Sequence, residues 1–220
     1  MSMEINETDE QRLESIKAWW KENASSVITG LLLGLALLFG GKSWVAYQDR
    51  KAEEASNIYV TLTTALVRGD ESLVNDRAGV LIGEYSSTPY ATLAALALAK
   101  LKLDQGELEA ARAQLQWAMD KTGSEALQPL VRLRLARVMV AEGNLDGAES
   151  LLAQAPAERA YAPLYNELQG DIHAARGALN EARAEYEIAL AALPPESAER
   201  GLLQLKYEST ASPAVSGDAK

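Results

Sequence analysis

The chain has 220 residues, a formal net charge of −10 and no cysteine. That length holds one membrane helix and one domain of ordinary size. The acidic balance argues against nucleic acid, whose phosphates need a basic surface, and the missing cysteines exclude disulfides, thiolate catalysis and Cys-based metal sites. Most of the acid lies in the second part: from Glu53 onward there are 15 Lys and Arg against 24 Asp and Glu, a balance of −9 that gives this part little reason to lie on anionic lipid.

Residues 1–22 are short and polar. Thr8 with Gln11 forms a capping box, and Leu13, Ile16 and Trp19/Trp20 then recur at helical spacing with Arg12, Lys17 and Lys21 on other faces. This predicts a short amphipathic helix at the lipid interface; the alternative is a frayed, solvated leader. Asn23–Gly41, NASSVITGLLLGLALLFGG, then runs 19 residues without a charge. At about 1.5 Å per residue it spans roughly 28 Å, close to a bilayer's hydrocarbon core. A cleaved signal peptide is disfavoured by the long leader and the absence of a small-residue cleavage pattern. A buried soluble helix is disfavoured because the segment is apolar all round. Trp19, Trp20, Trp44 and Tyr47 flank it as interfacial aromatics do. We therefore assign 23–43 to a transmembrane helix, with Gly30 and Gly34 as a G-x-x-x-G face for packing against another membrane helix. Orientation is not encoded by charge: Arg12, Lys17 and Lys21 on one side balance Lys42, Arg50 and Lys51 on the other.

Between Ser43 and Val67 there is no Pro or Gly, and Ala52, Ala55, Ile58/Tyr59, Leu62 and Leu66 keep a helical period. The spanning helix is expected to continue through a helical stalk, 44–58, into a repeat domain, 59–208. The end, 209–220, has the composition of a disordered tail.

The repeat domain announces itself by glycine. Gly106-Glu-Leu108 leads to Ala111, Gly143-Asn-Leu145 to Ala148 and Gly177-Ala-Leu179 to Ala182; Gly69 is a degenerate earlier copy, and the spacings are 37, 37 and 34. A period near 34 with helix–turn–helix units is the mark of tetratricopeptide repeats. Each glycine ends an Ala/Leu-rich helix where a positive φ is wanted. The third copy is clearest, with Gly170, Gly177, Ala182, Tyr186, Ala189 and Pro194 at the consensus places. Copy two has Ala136, Gly143, Ala148, Leu152 and Ala155; copy one has Ala99, Gly106, Ala111, Leu115 and Ala118. Pro129 and Pro163 open leading helices, where a missing N–H is harmless. Lys102 and Gln169 depart from the apolar consensus, which predicts locally shifted packing. The fold expected is all-α: one N-terminal transmembrane helix followed by a tetratricopeptide-repeat-like helical solenoid of three good hairpins and one poor one.

Catalytic chemistry is not legible. His173 is a lone histidine at a packed position, and Glu167/Asp171 at i,i+4 reads as a solvated face before it reads as a dyad. Gly40-Gly41-Lys42-Ser43 lacks the first glycine of a phosphate loop, since Ala36 stands there. We expect no enzyme and no cofactor. Binding remains, because leading helices of such solenoids line a concave groove. Projecting the repeat frame places Leu93, Leu96, Lys100 and Leu103 of copy one on that face. Copy two contributes Leu130, Leu133, Arg137 and Val140, and copy three contributes Leu164, Glu167 and Asp171. Such a face, cationic at one end and acidic at the other, suits an extended or helical peptide. The alternative is that several of these leucines are buried against a neighbouring helix.

The leader EQRLESIKAWWKEN, the span TGLLLGLAL, the following KSWVAYQ, and the stretches LRLARVMVAEGNLDGA and GDIHAARGALNEARAEYEIAL resemble the YfgM family of ancillary SecYEG translocon subunits. The likeness runs from Met1 to Leu205. It implies a single-pass protein of the bacterial inner membrane, with a cytoplasmic leader and a periplasmic repeat domain. It further implies association with the SecYEG translocon and with the periplasmic chaperone PpiD, and action on unfolded or newly translocated proteins. It supplies no catalytic motif. A second class stays open: a membrane-tethered regulator that binds a cytoplasmic partner through its leader.

Overall fold

The structure is a computed structural model that describes residues 9–154 and 161–211. The Thr8–Gln11 capping box, Ala155 and the tail beyond Ala211 lie outside the described residues and side chains. The described chain is helical throughout: α1 (Asp9–Arg68), α2 (Glu71–Glu84), α3 (Pro89–Asp104), α4 (Leu108–Lys121), α5 (Gln128–Ala141), α6 (Leu145–Ala153), α7 (Ala162–Ala175), α8 (Leu179–Ala192) and α9 (Glu199–Ser209). It divides into two compact units, Met1–Lys51 and Ala52–Lys220.

In the first unit α1 carries the uncharged stretch. Its apolar window has a mean hydropathy of 1.9 and none of it is buried. Leu31, Leu33, Leu37 and Phe39 all stand open, as do Trp19, Trp20, Trp44 and Tyr47 at its two ends. Exposed aliphatic side chains at this density suit a lipid environment better than water, consistent with a single-pass membrane anchor. Gly30 and Gly34 lie on an open face, where an added Cβ meets nothing within 4 Å.

In the second unit the repeats form. The last part of α1, with Ala55, Leu62 and Ala65, buries against Val74, Ala78 and Leu81 of α2 and Ala94 and Leu98 of α3. This is the degenerate hairpin that Gly69 marks. The hairpins α3–α4, α5–α6 and α7–α8 follow, each stacking on the last. Their turns share one construction. At Gly143, φ is +80°; the Asn144 N–H returns to the Met139 carbonyl at 2.8 Å and the Gly143 N–H to Val140 at 3.0 Å. This Schellman geometry satisfies carbonyls the helix would otherwise orphan. A side chain at that φ costs about 1–2 kcal/mol. Gly69, Gly106 and Gly177 repeat both the φ and the five-residue return bond. Asp70 and Asn144 then cap α2 and α6 by accepting from Leu73 and Gly147 N–H. Pro89, Pro129 and Pro163 stand in the first turns of α3, α5 and α7.

Position by position, the small residue of each leading helix is matched to the bulk behind it. Ala99 and Leu115 share one core, and Ala136 and Leu152 the next. In the third copy the pair is Gly170 and Tyr186, and a Cβ at Gly170 would fall on the Tyr186 ring. Lys102, off-consensus, bridges the turn to Glu107 at 2.9 Å.

Helix α9 closes the stack. Leu203 enters the core of Ala182, Tyr186, Ala189 and Leu190, and Arg200 donates to the Leu190 and Leu193 carbonyls at 2.7 and 3.1 Å, finishing α8. Arg183 sits 3.9 Å over the Tyr207 ring. Ser209 belongs to α9 and Thr210 is buried, its hydroxyl donating to the Tyr207 carbonyl. The described chain therefore stays packed through residues expected to open a disordered tail.

Candidate functional site

Leading helices α3 and α5 leave a cavity of about 280 Å³ between them. Helical spacing makes its walls. Leu96, Lys100 and Leu103 recur at i, i+4, i+7 on α3, and Arg134, Arg137, Val138 and Ala141 share one face of α5. Leu115 of α4 and Ala99 supply the floor, both buried. The lining is mostly apolar, with three cations around it.

Those cations are differently engaged. Lys100 donates to Asp104 at 2.7 Å, an exposed i,i+4 pair of little energetic weight. Arg137 reaches Glu167 of α7 at a loose 3.4 Å. Arg134 makes no ion pair with any described residue; its charge bears on Tyr59, whose phenol pKa burial raises and Arg134 draws back down.

Of the residues projected onto the groove, the structure brings Leu96, Lys100, Leu103 and Arg137 together. Leu93 and Leu130 are half-buried against the core of α3, α4 and α5. Leu133 is 1 % exposed and packs with Ala148, Leu152, Leu168 and Ile172; Leu164 packs against the same cluster. Leu133 is thus a core residue, and at that level its neighbour Arg134 lines the cavity. Arg134 was missed because α5 holds three arginines, and charge alone does not sort them. Arg132 is 5 % exposed, with Nε and Nη1 buried and unpartnered, while Arg134 and Arg137 are open.

The acidic end is closed. Lys206 of α9 donates to Glu167 Oε1 and Asp171 Oδ2, each at 2.7 Å, and the Tyr186 hydroxyl donates to Asp171 Oδ1 at 2.8 Å. Glu167 and Asp171 therefore fasten α9 and α8 to α7. Burial disfavours the charge of Lys206, but its bonds to Asp171 and Glu167 outweigh that and raise its pKa. Burial, then the Asp171 bond, pushes the Tyr186 pKa up as well. Both folded values lie above the unfolded ones, so their contribution is complete below about pH 10 and is lost as pH rises through the folded values. We expect urea unfolding to show an alkaline loss of stability starting near pH 10, and Lys206→Met to lose about 1–2 kcal/mol at pH 7 together with part of that alkaline slope. An unchanged midpoint in Lys206→Met rules out the clamp.

His173 is half-buried beside a small hollow of about 70 Å³ shared with Glu149, Gln169, Ile172 and Glu185. Arg176 draws Asp146 and Glu149 into ion pairs at 2.6 and 2.7 Å, tying α7 to α6.

A family model, the tetratricopeptide repeat-like domain, matches residues 17–212, spanning both the uncharged stretch and the repeats. A protein of Haemophilus influenzae is 33% identical over 81% of this chain and 87% of its own length, and one of Escherichia coli K12 is 33% identical over 84% and 88%. A third, from Neisseria gonorrhoeae, is 28% identical over 91% and 96%. All three are named ancillary SecYEG translocon subunits. A solved thermophilic TPR protein of Thermus thermophilus is 23% identical, with a TM-score of 0.49 over 81% of this chain and 95% of its own. With relatives 33% identical over more than four fifths of the chain, and the family model matched over residues 17–212, the chain belongs to the family of ancillary SecYEG translocon subunits that carry a tetratricopeptide repeat-like domain.

Proposed function

We propose that the protein is a non-enzymatic, single-pass subunit attached to the Sec translocon of the bacterial inner membrane. Its leader is cytoplasmic and its repeat domain periplasmic, where it acts with a PpiD-like chaperone on newly translocated proteins. One observation carries this: the region matched by the family model includes both the membrane-length stretch and the repeats, and relatives named as translocon subunits match more than four fifths of the chain. In this reading the Gly30–Gly34 face meets another membrane helix, since small residues let backbones approach. The α3–α5 groove takes a soluble partner. Glu167 and Asp171, the pair nearest to a catalytic arrangement, are already spent on holding Lys206.

Site-specific photocrosslinking in native membranes tests it. Probes go at Leu35 in the span, at Leu103 and Arg137 in the groove, and at exposed Ile188 on α8 as a control outside it. The expected result is translocon adducts from Leu35 and chaperone or emerging-chain adducts from the groove, with Ile188 silent. Adducts arising only from a leader probe at Ile16, to a cytoplasmic protein, overturn the proposal in favour of a leader-bound regulator.

A further inference from the structure

We infer that the α3–α5 cavity recognises one chemistry: a segment of a partner polypeptide in which an aliphatic side chain is flanked by aspartate or glutamate. This rests on the groove reading above and narrows it.

The cavity's size sets the first limit. At about 280 Å³ it admits one or two side chains and is too small to enclose a helix. Its lining sets the second. Leu103 is 39 % exposed on the wall, a large apolar side chain left open beside the buried Leu96 and Leu115. An aliphatic side chain entering there covers Leu103 and completes the packing.

Charge sets the third. In a unit whose balance is −9, three cations gather around this one cavity. Lys100 and Arg137 are offset by Asp104 and Glu167, which leaves Arg134 as the cavity wall's cation without an ion pair among the described residues, and that charge favours an acidic segment over a basic one. Arg134 is open and has no ion pair among the described residues, so its planar fork is available to a carboxylate.

The rest of the groove argues for a defined motif and against a general grip on unfolded chains. Leu133 is buried, and Leu93, Leu130 and Leu164 are half-buried against the cores, so together they leave no broad open apolar strip. Promiscuous binders use flexible surfaces that repack; this wall is made of two helices fixed by buried faces.

The test uses the full chain in detergent micelles and a fluorescein-labelled dodecapeptide with leucines among aspartates and glutamates. Two control peptides carry lysine for the acids or alanine for the leucines. Anisotropy is expected to saturate with the acidic leucine peptide alone, and added salt should weaken it. Arg134→Glu should weaken it roughly tenfold, while Arg68→Glu, a reversal at the end of α1, leaves it unchanged. Thermal unfolding of Arg134→Glu should match the parent, because the replaced side chain is exposed. Equal binding of the lysine peptide, no binding of the acidic one, or no effect of Arg134→Glu overturns the inference. The acidic peptide is then added to the Leu103 crosslinking reaction in native membranes. Loss of adducts supports it. Adducts that persist under saturating peptide overturn the acidic motif and leave the groove reading standing. No adducts at all at Leu103 overturn both. Adducts to residues 212–220 of the same chain, or to a second copy, overturn the assignment to a partner.

Discussion

Replacing Tyr186 by alanine will melt the C-terminal end of the repeat domain ahead of the rest. Tyr186 is 3 % exposed and sits where α7, α8 and α9 meet. Removing a buried aromatic ring costs roughly 3–5 kcal/mol, a large share of what holds a domain folded. Because each repeat is stabilised only by its neighbours, the loss stays local. Urea unfolding followed by far-ultraviolet circular dichroism should split into two transitions, and limited proteolysis should cut first within α7–α9. Tyr186→Phe keeps the ring and loses only the bond to Asp171, about 1 kcal/mol. The ring's partner sharpens the test. Gly170→Ala drives a methyl into Tyr186 and should destabilise by roughly 1–3 kcal/mol. Combined with Tyr186→Leu, the same alanine has room and should become neutral or favourable by up to about 1 kcal/mol, reproducing the Ala136–Leu152 pairing of the preceding repeat. Strict additivity of the two substitutions excludes this packing.

That pairing also shows what the sequence makes legible. Repeat glycines, small residues and helix-opening prolines are local requirements of φ, close approach and a missing N–H, and they write themselves into single positions. Gly69, Gly106, Gly143 and Gly177 each take the positive φ their pattern implies. The uncharged stretch is legible for the same reason, since a bilayer demands composition more than contact. The groove is not local. Whether Leu133 or Arg134 faces the cavity depends on how far α5 rotates against α4 and α6, and α5 is apolar on so much of its surface that rotation by one residue leaves the pattern plausible. The acidic end is not local either. Glu167 and Asp171 share a face as expected, but Lys206, 35 or more residues on, reaches both. No periodicity within α7 announces a partner on α9.

The second large effect is expected in the span. Leu32→Arg with Leu35→Arg places two cations near the middle of Asn23–Gly41, at about 2.5–3.5 kcal/mol each on an insertion scale. Neither charge is near enough to an end for easy snorkelling. The double variant should leave the membrane pellet under alkaline carbonate extraction, whereas Leu32→Ala with Leu35→Ala stays integral. Since none of the apolar window is buried within the protein, the same arginines should leave thermal unfolding in detergent unchanged. The combination separates lipid from packing as the reason these leucines exist: loss of membrane retention with an intact repeat domain is what an anchor requires. An arginine variant that unfolds in detergent assigns the leucines to a protein core, and one that resists carbonate removes the case for a spanning helix. N-terminal sequencing of the parent completes the argument, because a leader still attached in native membranes excludes cleavage and leaves anchoring as the use of the stretch.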